Sequence, residues 1–116
     1  MNESRIEPRL LAEIRRLQGE GRVDERVSVL VQIATGQRTD DATTYAALEK
    51  RMRAGAQAVK QSLERLGFNG EIRENVLAGS LELQLTIEQI AAVSDVAEVK
   101  RVVWNRVDNV ATAAEV

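Results

Sequence analysis

Val27, Val29, Val31 and Ile33 stand at every second position, with Ser28, Leu30, Gln32 and Ala34 between them. A period of two in β-branched residues is a strand with one apolar face, and that face needs a cover. The cover is legible further along. Leu48, Met52, Ala56, Val59, Leu63 and Leu66 recur at steps of three and four, with Glu49, Lys50, Arg53, Gln57, Lys60 and Glu64 on the other side. This is an amphipathic helix with a core-facing stripe. Asp40 or Asp41 is the expected cap at its start, and Gly67 is the expected stop at its end.

After that stop come two strands. Residues 69–76 carry Ile72 and Val76; in residues 80–86, Leu81, Leu83 and Leu85 alternate with Ser80, Glu82 and Gln84. Gly79 marks the turn between them. Thr86 followed three residues later by Gln89 has the form of a capping box, opening a short helix with Ile90 and Val93. A last strand is predicted over residues 99–105. Ahead of the first strand, Pro8 suits the first turn of a helix. Leu10, Ile14 and Leu17 give that helix, residues 8–18, a stripe that must lie on a surface, and Gly19 and Gly21 end it.

The predicted fold class is α+β. The order β-α-β-β-α-β implies a ferredoxin-like, four-stranded antiparallel sheet with two helices on one face, plus the N-terminal helix. The chain divides into residues 1–26, helix and connector; residues 27–107, the sheet-bearing domain; and residues 108–116, a small and polar C-terminal tail expected to be flexible. Helices on one side leave the other side uncovered. That side should show Ser28, Leu30, Gln32, Ala34, Ser80, Glu82 and Gln84, a mixture that suits plain solvent as well as a reversible docking surface.

Composition removes many chemistries. The 116 residues include no cysteine and no histidine, so thiolate metal sites, disulfides and the commonest general base are absent. Ser4, Ser28, Ser62, Ser80 and Ser94 have no histidine to activate them, and nothing in the spacing sets Lys50, Lys60 or Lys100 beside a serine. No enzyme and no cofactor is expected. Sixteen basic and 18 acidic residues, well mixed, form no basic stripe for nucleic acid. The aromatic residues are Tyr45, Phe68 and Trp104, and neither central strand holds one, so the base-stacking platform of RNA-binding domains is missing. Residues 1–5 lack the apolar run of a signal peptide and no stretch reaches membrane-spanning length, so the expected address is cytoplasmic.

Three segments together resemble a known family. Arg26-Val-Ser-Val-Leu-Val-Gln-Ile-Ala34 resembles the first strand of the propeptide-type inhibitor domains of subtilisin-like serine proteases. Leu77-Ala-Gly-Ser-Leu-Glu-Leu-Gln-Leu-Thr-Ile-Glu-Gln-Ile90 resembles their third strand and the cap of the helix that follows. Val96-Ala-Glu-Val-Lys-Arg-Val-Val103 resembles their closing strand. The resemblance implies a non-catalytic domain that inhibits such a protease or assists its folding. It implies that the partner is a subtilisin-like serine protease or an assembly containing one. Its docking face would comprise Leu30, Gln32, Glu82 and Gln84, with Trp104 and Asn105 at the rim. Its cleft-binding tail would be drawn from Val107, Asp108, Asn109, Val110, Ala111, Thr112, Ala113, Ala114, Glu115 and Val116. Where that family often has acidic residues after the closing valines, this chain has Trp104 and Asn105. Two other readings stand beside it: a regulatory module that forms a homodimer through sheet edges, and a scaffold subunit that docks through its N-terminal helix.

Overall fold

The computed structural model describes residues 1–34, 45–75 and 78–105. A short 3-10 turn, Glu3–Arg5, leads into α1 (Pro8–Gly19), followed by β1 (Val27–Ile33), α2 (Tyr45–Glu64), β2 (Arg73–Asn75), β3 (Ser80–Leu85), α3 (Ile87–Ser94) and β4 (Val99–Trp104). The four strands form one antiparallel sheet in the order β2-β3-β1-β4, the order of a split β-α-β fold. Asp40 and Asp41, the expected cap of α2, lie outside the described residues, as do residues 76 and 77 of the second predicted strand. That strand is short, and its three residues are all exposed.

The alternation in β1 sets the core. Val29 and Val31 are fully buried, Val27 and Ile33 nearly so, and Leu81, Leu83 and Leu85 of β3 stand beside them on the same face. Met52, Val59 and Leu63 of α2 and Ile90 and Val93 of α3 close over that face. The N-terminal helix joins the same cluster. Leu10, Ile14 and Leu17 are buried within it, and Ile6 just ahead of the helix pairs with Val102 on the helix-covered side of β4.

Local chemistry explains where the helices stop and start. Past the end of α2, Gly67 takes a positive φ of 75°, and the Phe68 N–H donates back to the Leu63 carbonyl at 3.1 Å. This is the left-handed turn that glycine enters without a Cβ penalty. At α3 the capping box is closed in both directions: the Gln89 N–H donates to Thr86 Oγ1 at 3.3 Å, and the Thr86 N–H donates to Gln89 Oε1 at 2.9 Å. The far end of α3 is held by the chain's first residues. Ser94 Oγ accepts from the Asn2 N–H at 2.9 Å and donates to the Ala91 carbonyl at 2.7 Å, while Arg5 Nη1 donates to the Val96 carbonyl at 2.7 Å.

One residue of α2 does a task that the apolar stripe conceals. Gly55 is buried where α2 crosses β1, and a Cβ placed there would overlap Ile33 Cγ2 and lie 3.1 Å from Ile33 Cδ1. The missing side chain is what lets the helix sit so close to the strand. Gly55→Ala gains about 1 kcal/mol of helix propensity but overpacks the contact at a cost of about 1–3 kcal/mol. The expected outcome is a net loss, read as a lower denaturant midpoint at unchanged slope. Thr86→Ala opens the capping box and is expected to cost about 1 kcal/mol in the same measurement.

Candidate functional site

The face turned away from the helices is defined by register. Its central row runs Arg73, Glu82, Leu30, Val103 across β2, β3, β1 and β4. On one side of it lie Gln84, Ser28 and Asn105, the last two joined by the Asn105 N–H to the Ser28 carbonyl at 3.0 Å and by Asn105 Nδ2 to Ser28 Oγ at 3.3 Å. On the other side lie Asn75, Ser80, Gln32 and Arg101. Leu30 and Val103 are half-buried, whereas Arg73, Glu82, Gln84 and Arg101 are exposed. The surface is thus an apolar pair in the middle of a polar frame.

Of the residues singled out from the sequence, Leu30, Gln32, Glu82, Gln84 and Asn105 come together on this face. Trp104 does not. It stands opposite Val29 on the helix-covered side and packs, half-buried, against the core. The reason is a bulge. Gln32 pairs with Arg101 and Ile33 with Val99, so β4 carries Lys100 as an extra residue between the two pairs. An inserted residue reverses the phase of every side chain after it, which sends Val102 and Trp104 inward and Arg101 and Val103 outward. Val103, Arg101 and Arg73 are the face residues that strand alternation alone did not identify. Val99 and Val102, three apart with Lys100 and Arg101 between them, were the signal that the alternation in β4 is broken. The ten residues proposed as a cleft-binding tail, 107–116, lie outside the described residues.

Two grooves border the face, both open to solvent. One, of about 360 Å³, is lined by Arg26, Gly70, Glu71, Arg73 and Glu82 on the β2 side. The other, of about 270 Å³, is lined by Glu13, Leu17, Glu25, Trp104 and Asn105 on the α1 side. They meet at Arg26, Ser28 and Gln84.

The second groove is bordered by a chain of charges that ties α1 to the connector. Arg16 grips Glu13 with two bonds of 2.7 and 2.9 Å and reaches Glu20 at 2.8 Å. Arg22 binds Glu20 at 3.0 Å and grips Glu25 with bonds of 2.6 and 2.9 Å. The Arg16 guanidinium holds the Glu13 carboxyl below its usual range, and Arg22, then Arg16, do the same to Glu20. Hydrogen bonds to the charged form favour that form.

The described residues bring no catalytic constellation into view. Ser4 donates to Asn2 Oδ1 at 2.6 Å, Ser28 is joined to Asn105 and Ser94 to Ala91. No group of three acidic, cysteine or histidine side chains converges among the described residues, and none of their helices is long and apolar enough to cross a membrane. The apolar stripe of α1 is buried in the chain's own core, so that helix presents no free stripe to a partner. The chain matches no family model, and neither the curated proteins nor the solved structures include a match to it.

The charge chain makes a titration prediction. Carboxyls depressed in the folded state add stability above their unfolded pKa and lose it as the pH falls through their folded pKa. Arg16→Ala should therefore raise the titration midpoint of Glu13 toward the ordinary carboxylate range, and that of Glu20 by less because Arg22 remains. Carboxyl-carbon NMR titration of the variant against the parent checks both.

Proposed function

We propose that the chain is a non-catalytic, ferredoxin-like domain that docks on a subtilisin-like serine protease, inhibiting it or assisting its folding. The observation that supports this reading is the one-sided construction. Three helices are committed to one face of the sheet, and the Leu30–Val103 pair on the other face is left without a cover from the described residues.

An apolar centre ringed by Gln32, Glu82, Gln84, Arg101 and Asn105 has the composition of a reversible interface, in which a small central cluster carries the energy and a polar rim sets orientation. In sequence, residues 107–116 come just after Asn105, the last described residue of the face. As a segment tethered to a docked domain they act at high effective concentration on a neighbouring cleft, where an extended chain binds by strand addition. A partner that binds only the native protease also favours its folding by mass action. The compartment expected for such a pairing is the cytoplasm.

The test is binding and inhibition against a panel of subtilisin-like proteases. At least one member should be inhibited in the nanomolar to micromolar range. Leu30→Glu combined with Val103→Glu, both on the open face, should weaken that inhibition by about 30-fold or more, equivalent to about 2 kcal/mol or more. Removal of residues 107–116 should abolish inhibition while the folded domain still docks. A panel that shows no inhibition and no complex formation would sink the proposal.

A further inference from the structure

The two edges of the sheet are protected in different ways. At one edge β2 is three residues long, exposed throughout and charged at Arg73 and Glu74, a poor template for pairing. At the other edge β4 runs six residues and is rich in valine. A strand of that kind invites another strand, and here it is covered by the chain's own N-terminal segment. Ile6 forms a parallel bridge with Val102 and is buried to 4% exposure. The Glu7 N–H donates to the Val102 carbonyl at 2.9 Å, and Glu7 Oε1 accepts from the Trp104 N–H at 3.3 Å.

Glu7 is the residue on which this cover turns. Its carbonyl accepts the Leu11 N–H at 2.9 Å, the first bond of α1, so the backbone has already left the edge. A strand continuing along β4 would offer a carbonyl to Trp104; the Glu7 carboxylate supplies an oxygen in its place. The side chain that precedes α1 is thereby used on the sheet and makes no capping bond to the helix.

The two groups that Glu7 satisfies are complementary to each other. Val102 and Trp104 flank Val103, and both present edge groups away from β1. Around a two-fold axis through Val103, the Trp104 N–H of one copy meets the Val102 carbonyl of a second copy, and the reverse. Over residues 101–105 that register sets Arg101 against the second copy's Asn105, so no like charges oppose within this stretch, and it brings the two Val103 side chains together beside Leu30. We propose that Ile6 and Glu7 form a displaceable strap over a latent pairing edge, and that the β4 of a second copy of this chain takes their place when the strap is released.

The experiment keeps the full chain and replaces the strap by Ile6→Asp with Glu7→Ala. Circular dichroism reports folding, and light scattering across a dilution series reports mass. The parent chain should be monomeric. The folded strap variant should approach twice the parent mass as concentration rises, and adding Val103→Asp, which opposes two carboxylates at the axis, should return it to the parent mass. A folded strap variant that stays monomeric, or a dimer indifferent to Val103→Asp, overturns the proposal. Should the strap variant fail to fold, hydrogen exchange on the parent chain decides. The Glu7 and Trp104 amides should exchange at least about tenfold faster than those of Val29 and Val31, as a separately opening element does. Equal protection at all four means that the strap does not open on its own, and the proposal is wrong.

Discussion

The structure depends on the inward face of one central strand. Val29 and Val31 of β1 lie between β3 and β4, so their burial requires both neighbours in register and a helical layer above. A β-branched side chain is stiff at χ1 and packs well on a pleated surface, which makes this row a firm base for the contacts above it. Gly55 shows how close that layer comes. Ile33 occupies the space that a side chain on α2 would need, so the distance between helix and sheet is set by a residue that contributes no apolar area of its own.

One-sidedness follows from the same row. All three helices add to a single cluster on the inward face, which leaves Leu30 and Val103 as an apolar pair framed by amides and charges on the other. Chemistry within the described residues is sparse: carboxylates and guanidinium groups satisfy one another along α1 and the connector, and the serine hydroxyls with named bonds serve backbone and amide groups. What the described surface offers outward is an apolar pair held inside a frame of amides and charges.

Much of this was readable in the residue order, and the parts that were not have physical causes. The phases of β1 and β3 follow strict alternation, so Leu30, Gln32, Glu82 and Gln84 could be assigned to one face before any coordinates. Thr86 and Gln89 announced the start of α3. In β4 the bulge at Lys100 broke the period, so Trp104 turns to the core side, where it lines the groove at the border of the face, while Val103 takes the open side. Gly55 was passed over because a helical stripe is recognised by the side chains it has, not by one it lacks. Glu7 carries no signal in the residue order, because its bond to Trp104 joins positions 97 apart in the chain and leaves no local trace.

The attachment of the first residues to the last elements has a consequence for the order of assembly. Asn2 and Arg5 bind at the end of α3, and Ile6 and Glu7 lie on β4. On a ribosome α1 is made well before β4, the surface that receives it. Its apolar stripe of Leu10, Ile14 and Leu17 must wait in the nascent chain until residues 99–104 have been added. Contacts that span so much sequence close late and slow the search for the native arrangement.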